Sequence, residues 1–255
     1  MPIRNLYETM DKEYKDPEYW NPNKTRGMLK HPFRCAVIGS SGSMKTNSVL
    51  CIVEDANCWQ KIYLIAKDLE EPLYRQFISK IRNAERQCGI SILTVSNNID
   101  DVPDLSTVDK KIQNLIICDD LLGENLKKAK NIDEVMIRGR KVNCSIFFIS
   151  QTFYDIPKKW RLQCNYYILK AIEDERDIKG ILGQKKKGTK VEEVFKMYEA
   201  STKGSNFFKI NTTNPDTTLR FTMNYNEIPP LTSSNKDAPI VEEQEKKTRK
   251  PRKIV

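Results

Sequence analysis

The eight residues Gly39-Ser40-Ser41-Gly42-Ser43-Met44-Lys45-Thr46 carry the clearest chemistry in the chain. Glycine and serine let a backbone curl until successive N–H groups point into one anion-sized nest. Ending such a turn on lysine and threonine matches the phosphate-binding pattern G-x-x-x-x-G-K-[ST]. Lys45 is expected to reach the β- and γ-phosphates of a nucleotide, and the Thr46 hydroxyl to hold Mg2+. A helix starting there would add its positive N-terminal end. One position departs: Met44 stands where the pattern has its second glycine. A side chain there would crowd the phosphates or demand a strained backbone. The bland alternative is a Ser/Gly-rich turn that binds nothing.

A second set lies some 70 residues downstream. The run Asn114–Cys118, NLIIC, ends in Asp119-Asp120. A carboxylate at the end of a buried strand, facing a phosphate loop, would hold the Mg2+ shell, and Asp119 takes that role. Asp120 follows at once and would orient the attacking water. The alternative is a solvated acidic turn. Further on, Arg138 and Arg140 precede the apolar run Cys144–Ser150, which ends at Gln151. Gln151 would sense the γ-phosphate. An arginine reaching a neighbouring subunit's nucleotide would stabilise the charge that develops in phosphoryl transfer. Two basic clusters, Lys185-Lys186-Lys187 and the tail KKTRKPRK, are candidates for sequence-independent phosphate contact.

These groups need elements to hold them. Phe33–Ile38 reads as a short buried strand leading into the Ser/Gly turn, with helical residues after it. Lys61–Ala66 and Ile90–Val95 read as strands, with an amphipathic helix over 71–87 between them. Residues 97–111 read as a loop. Asn114–Cys118 and Cys144–Ser150 are continuous apolar runs, as in strands buried on both faces of a parallel sheet. Residues 124–138 and 190–199 read as helices, and Tyr166–Leu169 as a strand. Residues 207–210 and 219–225 alternate like a hairpin around Asn214-Pro215-Asp216. Strands alternating with helices predict a three-layer α/β fold with a mostly parallel sheet. The expected organisation is an N-terminal arm over 1–30, one nucleotide-binding domain over 31–228, and a disordered basic tail over 229–255.

Composition narrows the classes. The chain has 255 residues, 39% hydrophobic and 30% charged, enough to bury a core. No run of 18 apolar residues exists, so no membrane span is expected. The N-terminal stretch lacks the apolar segment of a secretory signal. Seven scattered cysteines without a C-x-x-C pair, and a single histidine, argue against a zinc site or disulfide framework. Net charge is +9, and the tail from 241 holds six Lys/Arg against three Glu. The basic remainder suits a polyanionic partner or merely a solvated surface.

The order GSSGSMKT, NLIICDDLL, RGRKVNCSIFFISQ and IPKKWRLQCNYYIL resembles the FtsK–HerA superfamily of ring translocases. It is most similar to the DNA-packaging ATPases of large double-stranded DNA viruses, the poxvirus type and its smaller relatives. The resemblance spans roughly residues 33–182. It implies a P-loop NTPase fold that hydrolyses ATP with Mg2+ and drives duplex DNA into a preformed capsid. Lys45 would bind phosphate, Thr46 and Asp119 the metal, and Asp120 the water. Gln151 would be the sensor and Arg140 the finger acting in trans, with Arg138 second. Lys158, Lys159 and Arg161 would fall in the stretch between the last core strands. Further implications are a homo-oligomeric ring, capsid or portal-vertex partners, and a location in host cytoplasm, viral factory or virion. Two other functions stay open: a nucleotide-binding assembly subunit without turnover, should Met44 block hydrolysis, and a nucleotide kinase.

Overall fold

The computed structural model describes residues 29–121, 130–185, 188–214 and 219–225, with single residues 11, 227 and 229. Most of the expected arm and tail, and the turn at 215–216, lie outside the described residues.

Eight strands form one sheet. They are β1 (Arg34–Ile38), β2 (Lys61–Ala66), β3 (Leu93–Ser96), β4 (Asn114–Asp119), β5 (Cys144–Ser150), β6 (Tyr166–Leu169), β7 (Phe208–Asn211) and β8 (Phe221–Met223). Their order is β3-β2-β4-β5-β1-β6-β7-β8. The first six are mutually parallel, and β7 is antiparallel to both β6 and β8. The helices are α1 (Lys45–Ala56), α2 (Pro72–Cys88), α3 (Lys130–Arg138), α4 (Lys158–Gln163), α5 (Glu175–Lys185) and α6 (Val191–Ser201).

The period of two along each strand sorts the core into two halves. Cys35, Val37, Leu115, Ile117, Phe147 and Ile149 pack beneath Val49, Val53, Tyr74 and Phe77 of α1 and α2. Ala36, Ile38, Ile116, Cys118, Ile146 and Phe148 pack against α3, α4, α5 and α6 on the other face. Both faces are covered, so the central strands read as unbroken apolar runs. The three-layer expectation holds.

Three elements differ from their expected form. β3 begins at Leu93, not Ile90, because Gly89 closes α2 in the left-handed region at φ 68°. Glu85 Oε1 then accepts from the amides of Ile92 and Leu93 at 2.6 and 2.7 Å, leaving Ile90 in solvent. The stretch between β5 and β6, for which no element is predicted, carries a helix: α4 forms after Pro157 and is anchored by Trp160, whose indole N–H donates to Asp133 at 2.5 Å. Helix α5 is not among the elements the sequence predicts: Ile178, Ile181 and Leu182 keep the i, i+3, i+4 spacing, but Gly180 and Gly183 inside the helix lower its intrinsic propensity. Gly180 faces the ring tip of Tyr154, an exposed side chain that would have to turn aside for a Cβ there. Of the helix expected over 124–138, Lys130–Arg138 is described and helical.

Candidate nucleotide site

Parallel strands put all their C-terminal ends at one edge. Ile38 of β1 pairs with Ser150 of β5, and Ile149 of β5 pairs with Asp119 of β4. The Ser/Gly loop, Gln151 and the acid pair therefore leave the sheet side by side, with β5 between the other two strands. They border a cleft of about 350 Å³ lined by Ser41, Gly42, Lys45, Thr46, Asp119, Asp120, Ser150 and Gln151. Lys67, Asp68, Glu71 and Tyr74 close its far side.

The loop is held from behind. The Ser40 amide donates to Ala171 O at 2.8 Å, and the Ser40 hydroxyl accepts from the Glu173 amide at 2.9 Å. A Cβ on Gly39 would lie 2.6 Å from both Lys170 Cβ and Ser43 Oγ, so only glycine passes there. Gly42 turns the chain at φ 71°. Met44 then caps α1 at φ 64°, ψ 34° with no side-chain cap. The left-handed backbone is what the absent glycine would supply freely. Its thioether does not plug the cleft: Met44 is 51% exposed and is not among the lining residues. Of the two difficulties expected at Met44, backbone strain is present and crowding is not. Without a side-chain cap, the first-turn amides of α1 remain available to an anion.

Lys45 donates its ammonium to Ser40 O at 2.9 Å. Burial pushes its pKa down, while the Asp119, Asp120 and Glu71 carboxylates oppose that. Asp119 Oδ2 accepts from Thr46 Oγ1 at 3.1 Å and from the Tyr74 hydroxyl at 2.5 Å. Burial pushes the Asp119 carboxyl up; the two hydroxyl donors and Lys45 pull it back, and Asp120 raises it further. Asp120 adopts φ 52°, is exposed and borders the cleft. A strained non-glycine residue at such a place is a feature of functional sites.

The donor set suits a hard cation bound with a phosphate. Thr46 and Asp119 offer oxygen only, and Mg2+ takes one or two protein oxygens, filling the rest with water and phosphate. Among the described residues no cluster of three His, Cys, Asp or Glu forms a protein-only metal cage. Four carboxylates and two ammonium groups line the cleft. A bare triphosphate would meet an excess of negative charge there, and a divalent cation would offset it.

Not every expected site residue converges here. Arg140 is exposed and sits in a 3-10 turn, Gly139–Val142, ahead of β5. The seven residues of β5 separate it from Gln151, roughly 20 Å along the strand. Arg138 lies at that same far edge. Lys185 is half-buried over the Tyr167 ring at 4.7 Å, and Lys186 and Lys187 lie outside the described residues. Sequence reasoning missed Tyr74, Glu71, Asp68 and Lys67. The polar tip of Tyr74, one residue from Leu73 on an otherwise apolar stripe, was the available signal.

Residues 23–208 match the family described as poxvirus A32 protein. The chain belongs to that family. The DNA packaging protein OPG160 of Variola virus is 24% identical over 144 residues, covering 55% of this chain and 53% of the relative. The protein of the same name from Vaccinia virus (strain Copenhagen) gives the same identity and coverage. The chain thus spans about half the length of the curated relatives it matches. Among solved structures, the genome packaging NTPase B204 from Sulfolobus turreted icosahedral virus 2, in complex with AMPPCP, superposes with a TM-score of 0.53. It is 14% identical and covers 76% of this chain and 97% of its own, a likeness of fold.

Proposed function

We propose that the chain is an ATP hydrolase that drives duplex DNA into preformed viral capsids. One observation carries the reading: Lys45, Thr46, Asp119, Asp120 and Gln151 border a single cleft at the C-terminal edge of a parallel sheet. The names of the related proteins, a DNA packaging protein and a genome packaging NTPase, support the same reading.

In this scheme the triphosphate lies on residues 39–46, with Lys45 released from Ser40 to the β- and γ-phosphates. Thr46 and Asp119 hold Mg2+, which neutralises charge and fixes the phosphate chain when bound. Asp120 aligns the attacking water, and Gln151 reads the γ-phosphate. Arg140 completes the cleft of a neighbouring subunit, because within its own chain it stands at the far edge. That assignment requires a ring. The exposed side chain of Met44 favours turnover over a subunit that only binds nucleotide. The setting implied is the viral factory in the host cytoplasm, or the virion. Among the described residues no helix is long and apolar enough to cross a membrane.

Phosphate release, measured with and without duplex DNA, tests the reading. Wild type should be stimulated by DNA, and Lys45→Ala should be silent. Equal rates would sink the proposal. Mixing Arg140→Ala with Lys45→Ala subunits should restore activity in mixed rings, and no rescue despite co-assembly would remove the role in trans.

A further inference from the structure

Tyr74 is the most deeply placed polar group of the cleft and has no part in the scheme above. It is 1% exposed, and its ring belongs to the core beneath α2, beside Phe77 and Leu64. A buried phenol needs a partner. It donates to Asp119 Oδ2 at 2.5 Å, the oxygen that also accepts from Thr46 at 3.1 Å. Two donors on one oxygen stop the carboxylate from rotating. Oδ1 takes no hydrogen bond among the described residues, so it is the oxygen presented to the cleft. We propose that Tyr74 is a positioning residue for the metal shell: it locks Asp119 so that one oxygen is spent on the protein and the other is kept for the cation and its waters. The inference rests on the nucleotide-hydrolase reading above.

The physical logic is that of a group outside the ligand shell orienting a group inside it. Losing such a partner typically costs about 10- to 100-fold in metal affinity. The phenol oxygen meets the Ser/Gly loop only at the Thr46 hydroxyl, with which it shares Asp119 Oδ2, and not at the backbone amides or Lys45 that would hold the phosphates. Metal-free nucleotide binding should therefore be untouched, and this separates positioning from a general loosening of the site.

The test is Tyr74→Phe in the full chain, a change that keeps the ring. With a non-hydrolysable ATP analogue saturating, Mn2+ affinity read by electron paramagnetic resonance should fall by about 10- to 100-fold. Binding of the same analogue in EDTA should stay within about twofold of wild type. A Phe variant with wild-type Mn2+ affinity overturns the proposal. So does a variant that loses analogue binding in EDTA to the same degree. Should the Phe variant not fold, 3-fluorotyrosine placed at position 74 alone supplies a second readout. Its fluorine resonance should move when Mg2+ joins bound analogue, and a resonance blind to Mg2+ overturns the proposal. Wild type that binds neither analogue nor metal would instead defeat the hydrolase reading itself.

Discussion

Lys45 donates its ammonium to the carbonyl of Ser40, 2.9 Å away, within the same turn of chain. The Ser43 amide donates to that oxygen as well, at 3.2 Å. The loop is therefore closed on itself, and a triphosphate must take Lys45 from Ser40. A charge-assisted hydrogen bond is typically worth about 1.5–3 kcal/mol. Lys45→Met should weaken ATP binding by about 10- to 100-fold without unfolding the domain, as read by titration with a fluorescent analogue. Unchanged affinity would place the phosphates elsewhere.

Met44 holds a left-handed backbone with its side chain half in water. Glycine there would relieve roughly 1 kcal/mol of strain and give part of it back through the freer unfolded chain. Met44→Gly should leave stability equal or raise it by up to about 1 kcal/mol in urea unfolding. Met44→Val should destabilise by about 1 kcal/mol or more, because a β-branched residue tolerates that region least. ATP turnover in the glycine variant should not fall. A glycine variant less stable than wild type would contradict the strain argument.

His31 predicts a pH dependence. Its Nε2 pairs with Asn143 Oδ1 at 2.6 Å and its Nδ1 with Ser145 Oγ at 2.6 Å, at the sheet edge away from the cleft. Burial lowers its pKa from 6.5 to about 4, against a smaller raising effect of the Asn143 bond. Above pH 6.5 both folded and unfolded chains carry neutral imidazole, so this group adds no pH dependence. Between 6.5 and 4 only the unfolded chain takes the proton, and stability falls by about 3 kcal/mol from this group alone. Urea unfolding of His31→Gln should show a flatter slope across that window. A wild-type slope in the variant would assign the acid sensitivity to other groups.

The loop and the acid pair were legible because their chemistry demands particular residue types in short order, and because β1 and β4 are buried on both faces. Their meeting in one cleft depends on β5 lying between them, which no local pattern announces. Tyr74 was hidden for a related reason. Its position in α2 reads as core, and its bond to Asp119 spans 45 residues. Helix α5 is hard to read because Gly180 and Gly183 lower its helix propensity, although Ile178, Ile181 and Leu182 keep the helical spacing. The start of β3 is not legible because Ile90 has the residue type of a strand, while the Glu85 carboxylate that caps Ile92 and Leu93 lies in the preceding helix.

A crystal structure with Mg2+ and a non-hydrolysable ATP analogue tests the phosphate-binding role of the Ser/Gly loop most directly. The triphosphate should lie against residues 39–46, with Lys45 turned from Ser40 to the terminal phosphates and the cation held by Thr46 and Asp119. Nucleotide bound away from that loop, or a loop still closed by the Lys45–Ser40 bond under saturating analogue, would contradict it.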